Sequence, residues 1–233
     1  MVPAGGTGSR VGAGLPKQYL ELAGRPLLTW TLEALAQLDP PAILVVIAPD
    51  DERAGALGGL PAGVELLRCG GPTRAASVLG GLDALAARAA DDDWVLVHDA
   101  ARPCVDPRRV RTLLERLATH EDGGLLAEPV AETVKRATSP ADDAAEVCET
   151  LDREMLWLAQ TPQVFRFGAL REALRDGLAA GAAITDEASA MERVGARPLL
   201  VAGGRSNLKV TRPEDVALAE FWLARQGREV APP

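Results

Sequence analysis

The feature that most constrains this chain is an alternation of short, β-branched apolar runs with apolar patterns of helical period. Ala42–Ala48 (AILVVIA) is a continuous apolar run of strand length, as a strand buried on both faces requires. Val64–Leu67 repeats it weakly and Trp94–His98 (WVLVH) strongly. Between these runs, Leu27–Leu38 places Leu28, Leu32 and Leu35 on one helical face. Thr73–Ala90 does the same with Val78, Leu82 and Leu85. Asp106-Pro107 reads as an N-cap followed by proline in the first turn of a helix that turns Val110, Leu113, Leu114 and Leu117 inward. A β-α-β-α rhythm of this kind predicts an α/β, Rossmann-like three-layer fold, with a mainly parallel sheet and helices on both faces. With 233 residues, 47% of them apolar, the chain suits one domain spanning 1–233.

The rhythm breaks between Val130 and Asp152. Thr133-Val134-Lys135 and Val147-Cys148-Glu149-Thr150 flank the turn-rich Ser139-Pro140-Ala141-Asp142-Asp143, which predicts a hairpin arm over 130–152. So little apolar surface cannot order such an arm alone, so it is expected to pack on a second copy of the chain. Leu156–Phe165 then returns to the core, helices follow at Ala169–Ala180 and Asp186–Val194, and Thr211-Arg212-Pro213-Glu214 reads as a capping box opening the last helix.

Composition excludes several classes of function. The net charge of −8 lacks the basic surplus of a nucleic-acid binder. No apolar run approaches the roughly 18 residues of a membrane span, and the N-terminus does not read as a signal peptide, so no membrane partner and a cytoplasmic location are expected. Cys69, Cys104 and Cys148 are odd in number and far apart, which excludes a closed disulfide framework and a CxxC metal site. They are read as reduced and structural rather than as a catalytic thiol.

Three segments could carry chemistry on polyanions. Pro3-Ala4-Gly5-Gly6-Thr7-Gly8-Ser9-Arg10 lets backbone N–H groups approach phosphate oxygens closely, although a flexible loop is the plainer alternative. It is neither a Walker A loop nor a full GxGxxG, since Val11 stands at the third glycine. Arg10 and Lys17 follow as point charges for phosphates. His98-Asp99-Ala100-Ala101-Arg102-Pro103 leaves a strand at its C-terminus, where open α/β sheets bind ligands. Asp99 there could approach Mg2+ or merely cap the loop, and His98 reads as an orienting or core residue. His120 lies at a helix end and looks structural. Thr185-Asp186 could cap a helix or present groups to an anion, and Lys209 sits oddly inside a strand-like stretch, as a charge aimed into a cleft would.

In combination, PAGGTGSR, PKQYL, GGPTRAASV, VLVHDAARP, PVAETVKR, LDRE, QTPQVF, ITDEASAMERVG and NLKVTRPEDVALAEF closely resemble the 2-C-methyl-D-erythritol 4-phosphate cytidylyltransferases of non-mevalonate isoprenoid synthesis. They run in order from Pro3 to Phe221. The resemblance implies a nucleotidyltransferase fold, a homodimer, Mg2+ as cofactor, and CTP and methylerythritol phosphate as substrates. By resemblance, Ala4, Gly5, Gly6, Gly8, Arg10 and Lys17 meet the CTP phosphates and the neighbouring backbone. Gly71 and Ser77 read the cytosine, and Ala100 and Arg102 lie beside the ribose. Asp99 sits near Mg2+ and the acceptor, with the metal held mainly by CTP phosphates. Thr133, Arg153, Thr185 and Lys209 match the acceptor site, with Arg153 supplied by the arm of the other subunit. Arg10, Lys17 and Lys209 are the expected catalytic cations.

Two departures stand out. The family has a longer first strand before this loop, so either that strand is clipped or the recorded start is too far downstream. Pro72 replaces a common Asp, removing an N–H and a carboxylate beside the cytosine reader. Glu132 for Asp and Gly5 for Ala are benign. The competing readings are a ribitol 5-phosphate cytidylyltransferase, an NAD(P)-dependent dehydrogenase and a non-catalytic nucleotide-binding module.

Overall fold

The structure, a computed structural model, describes residues 1–6, 16–139 and 143–228. The continuous apolar runs become the interior of a mainly parallel sheet. β1 (Val2–Pro3), β4 (Ile43–Val46) and β5 (Val64–Leu67) pair in parallel in the order β1-β4-β5. A second group runs in the order β11-β7-β10-β6, built from β6 (Trp94–Val97), β7 (Gly124–Pro129), β10 (Trp157–Arg166) and β11 (Leu199–Ala202). Met1 joins the two groups. Its amino group donates to the Leu96 carbonyl at 2.7 Å, and its carbonyl accepts from the His98 N–H at 3.0 Å. β10 is antiparallel to both its neighbours, and the other pairings within these two groups are parallel. Short as it is, the first strand is therefore held on both sides.

Alternation along the strands sorts side chains to two faces. Leu44 and Val46 join Val95, Val97, Leu125 and Phe165 beneath α2 (Arg74–Leu85), α4 (Phe167–Ala179) and α5 (Glu187–Arg193). Ile43, Val45 and Ile47 face α1 (Leu27–Ala36), through Leu28, Leu32 and Leu35. α3 (Pro107–Leu117) covers Leu126 and Val164 with Val110, Leu113 and Leu117. Asp106 caps it, accepting from the Arg108 N–H at 2.9 Å. Leu114 is at the edge of exposure, so only three of its four expected inward residues are buried.

Several boundaries differ from the sequence expectation. α2 stops at Leu85 rather than Ala90, followed by turns over 86–88. The two short runs that form β7 and β11 are missing from the sequence reading, as is the small ladder of β2 (Glu21–Leu22) on β3 (Arg25–Pro26). The final helix, α6 (Glu214–Arg225), does not open with a Thr211–Glu214 capping box. Asp215 takes that role instead. Its Oδ2 accepts from the Thr211 N–H at 2.7 Å, the Thr211 hydroxyl at 3.0 Å and the Arg212 N–H at 2.8 Å. Because the helix begins after Pro213, Asp215 is the carboxylate in its first turn that reaches back over the preceding backbone.

β8 (Val134–Ala137) and β9 (Val147–Leu151) pair antiparallel with each other, their register shifting between Arg136 and Ala137. Most of their side chains are exposed. Among the described residues, no helix is long and apolar enough to cross a membrane. All three cysteines are free: Cys104 is buried, Cys69 half-buried and Cys148 exposed on β9. The structural reading therefore suits Cys104 best, and burial pushes its thiol up to about 12.

Candidate active site

The C-terminal ends of β1, β4, β5 and β6 converge on a cleft of about 720 Å³. Ala4, Gly5 and Gly6 line it as the chain leaves β1; Gly71, Pro72 and Thr73 enter after β5, and Asp99, Ala100 and Ala101 after β6. Lys17, Ser77 and Lys209, also singled out from sequence, line it too. Gly8 and Arg10 lie outside the described residues.

Close packing accounts for Gly71 and crowds Gly5, whereas a Cβ on Gly6 would meet nothing within 4 Å. A Cβ on Gly71 would meet the Ala76 Cβ at 2.6 Å, and one on Gly5 would come within 3.3 Å of the Gly70 Cα. Ser77 is held from three sides. Its hydroxyl oxygen accepts from the Gly71 N–H at 3.0 Å and lies 3.0 Å from the Thr73 carbonyl and 3.3 Å from the Gly71 carbonyl. Thr73 caps α2 by accepting from the Ala76 N–H at 3.1 Å. Gln18, absent from the sequence reading, donates to the Ala4 carbonyl at 2.7 Å and so anchors the start of the glycine segment.

A smaller pocket of about 260 Å³ adjoins the cleft, lined by Arg102, Gln163, Thr185 and Asp186 among others. Arg74, Asp99 and Lys209 line both cavities. Thr185 thus lines the same pocket as Asp99 and Lys209. Arg102 falls on this side rather than in the larger cleft. Thr133 and Arg153 line neither cavity; Arg153 lies just after β9 and donates to the Ala131 carbonyl.

The shared wall is an ion cluster. Asp99 Oδ1 accepts from Arg74 Nε at 2.9 Å, Oδ2 lies 2.8 Å from Lys209 Nζ, and Arg102 Nε is 3.6 Å from Oδ2. Arg74 turns its other two nitrogens to Glu187, at 2.6 and 3.0 Å. Burial alone would raise the Asp99 pKa, but the charges of Arg74 and Lys209 outweigh it and hold the carboxyl well below the usual range. Burial pushes the Glu187 carboxyl up, against the opposing charge of Arg74.

Arg74 and Glu187 were not singled out from sequence. One signal was available: Arg74 occupies the first turn of α2, where the helix dipole disfavours a cation, so it needs an anion from elsewhere in the fold. Glu187 gave no such signal, because a carboxylate in a first helical turn is ordinary.

His98 is buried and its pKa falls to about 4 through burial, so it is neutral near pH 7. The Thr161 hydroxyl oxygen accepts from the Asp99 N–H at 2.9 Å and lies 3.0 Å from His98 Nδ1, while His98 Nε2 lies 3.1 Å from the Arg102 carbonyl. This is an orienting residue that shapes the strand exit, as its position in the sequence suggested. His120 Nε2 contacts the Arg197 carbonyl at 3.0 Å, a structural role at a helix end.

The carboxylates of the cluster are already paired with cations. Both oxygens of Asp99 face cationic nitrogens, both of Glu187 face Arg74, and among the described residues no group of three His, Cys, Asp or Glu side chains converges. These side chains do not fit a resident Mg2+, which takes about six oxygen ligands at close range.

An open, mainly parallel sheet whose strand ends carry a glycine-lined cleft with Lys17, Arg74 and Lys209 on its walls, beside a second pocket, defines a nucleotidyltransferase-type α/β protein. The family model described as 2-C-methyl-D-erythritol 4-phosphate cytidylyltransferase (IspD) matches residues 1–225. The protein of that name from Dechloromonas aromatica is 52% identical over 229 residues, 96% of each chain. A crystal structure of a 4-diphosphocytidyl-2C-methyl-D-erythritol synthase superimposes with a TM-score of 0.80 at 38% identity, covering 95% of this chain and 96% of the other. The 2-C-methyl-D-erythritol 4-phosphate cytidylyltransferase of Francisella tularensis gives 0.76 at 35% identity, covering 95% and 97%. The chain belongs to the 2-C-methyl-D-erythritol 4-phosphate cytidylyltransferase family.

Proposed function

We propose that the protein transfers CMP from CTP to 2-C-methyl-D-erythritol 4-phosphate, giving 4-diphosphocytidyl-2-C-methyl-D-erythritol and pyrophosphate. The observation that carries this reading is the wall of Arg74, Asp99 and Lys209, which faces a nucleotide-sized cleft on one side and a smaller pocket on the other. Family membership supplies the identity of the two substrates.

The acceptor phosphate is already an ionised nucleophile, so its attack on the α-phosphorus needs no general base. The difficulty is electrostatic: two unit anions about 4 Å apart repel by about 4 kcal/mol at an effective dielectric near 20. Catalysis is therefore neutralisation and alignment. In this reading Lys17 and the backbone of Ala4, Gly5 and Gly6 hold the triphosphate, together with Gly8 and Arg10, and Arg10 stabilises the departing pyrophosphate. Gly71 and Ser77 face the cytosine, and Ala100 the ribose. Arg102, matched to the ribose by resemblance, lines the smaller pocket and is grouped with the acceptor in this reading. Lys209 bridges the α-phosphate and the attacking phosphate, while Asp99 and Thr185 orient the acceptor. Mg2+ belongs to the substrate, arriving as the CTP chelate and reducing its charge, and Asp99 approaches it only indirectly.

Thr133, in the 130–152 hairpin, and Arg153, directly after it, reach an acceptor of a second copy across a homodimer. The exposed Val147 on that hairpin and Met155, Trp157 and Leu158 just after it support such a contact. The cytoplasm is the compartment consistent with free cysteines and with CTP as substrate. Pyrophosphate release over four nucleoside triphosphates, with methylerythritol phosphate or ribitol 5-phosphate and with or without Mg2+, tests the reading. Turnover confined to CTP, methylerythritol phosphate and Mg2+ is expected. Preference for ribitol 5-phosphate would overturn the acceptor assignment, and absence of any pyrophosphate would overturn the activity.

A further inference from the structure

Glu187 lines neither cavity and is fully buried, yet both of its oxygens are committed to one guanidinium. That guanidinium has a fixed fork. With Nη1 and Nη2 turned to Glu187, its Nε is the donor presented to Asp99 Oδ1, which leaves Oδ2 facing the Lys209 ammonium at 2.8 Å. A chain of charges thus runs from the interior to the shared wall in the order Glu187, Arg74, Asp99, Lys209. Stability does not account for it, because a buried ion pair is often no better than well-packed apolar residues of the same volume.

We infer that Glu187 is a positioning residue that acts through Arg74 and Asp99 to fix the Lys209 ammonium between the two cavities. Three cations, Arg74, Arg102 and Lys209, face two carboxylates in this cluster. Neutralising Glu187 leaves Asp99 as the sole anion for all three. Arg74 then turns its fork onto both oxygens of Asp99 and displaces Lys209. The catalytic consequence rests on the transferase reading above; the geometric one does not.

The test exploits the scarcity of lysine: the chain has three, Lys17, Lys135 and Lys209. Trace acylation of the substrate-free protein, read by peptide mass spectrometry, reports the reactivity of Lys209 against Lys135 on β8. Glu187→Gln is expected to raise that ratio severalfold, because an ammonium displaced from Asp99 at 2.8 Å is open to the reagent. The double variant Arg74→Gln, Glu187→Gln removes the displacing fork and leaves no unmatched buried charge between the two positions. It should return the ratio to the wild-type value or below.

An unchanged ratio in Glu187→Gln overturns the inference, as does a rise that persists in the double variant. Should the single variant not fold, the double variant alone decides, since a ratio above wild type contradicts displacement by Arg74. Pyrophosphate release by the same proteins separates the two readings. A wild-type protein without turnover defeats the transferase assignment while the labelling result stands. An active wild type whose kcat survives Glu187→Gln unaltered overturns the positioning role.

Discussion

Asp99→Asn is the sharpest perturbation of the cluster, because it removes one charge while keeping the volume. The carboxylate lies 2.8 Å from Lys209, 2.9 Å from Arg74 and 3.6 Å from Arg102, with its side chain 8% exposed. At 2.8 Å a unit pair attracts by about 6 kcal/mol at an effective dielectric near 20, much of it cancelled by desolvation. The net cost of deleting one partner of a buried pair is about 3–5 kcal/mol. At about 2–4 °C per kcal/mol for a domain of this size, Tm should fall by about 10 °C.

The pH dependence has a definite sign. A carboxyl whose folded pKa lies below its unfolded value contributes stability that is complete above about pH 4 and is lost as pH falls toward the folded value. The stability gap between wild type and Asp99→Asn should therefore be flat from pH 5 to 7 and close in stronger acid. Urea titrations across pH 3–7 measure it. Equal midpoints with equal slopes at pH 7 would show that Asp99 does not hold the three cations together.

Other outcomes can be stated more briefly. Lys17→Ala should lower kcat about 100-fold with little change in the KM for CTP, because its charge matters most as pyrophosphate separates; an unaltered kcat with a raised KM would remove Lys17 from the transition state. Arg153→Ala should raise the acceptor KM and spare CTP binding, and mixed dimers with Lys17→Ala subunits should regain activity, since one of their two sites keeps both residues. No recovery in the mixed dimers would refute a site shared between copies. Burial holds His98 at about 4 against an ordinary 6.5, so the unfolded chain binds its proton first, and stability is complete above pH 6.5 and declines toward pH 4. The loss should total about 3 kcal/mol and be absent in His98→Gln, which urea midpoints at each pH would reveal.

Local sequence determined the elements whose signals are local. The runs at Ile43–Val46 and Trp94–Val97 and the stripe of Leu28, Leu32 and Leu35 needed only periodicity to be read, and Asp106-Pro107 needed only cap chemistry. Glycines after a first strand, a lysine close behind and an aspartate at a strand exit gave the cleft its chemical character for the same reason. β7 and β11 escaped because their short runs owe their strand conformation to pairing with distant partners. Tertiary structure alone decided the ion cluster. Arg74 meets Asp99 across 25 positions and Glu187 across 113, and only the assembled helices and strand ends bring those charges together. Periodicity reports which face a residue occupies, but a buried charge takes its role from its partners, and those are chosen by packing.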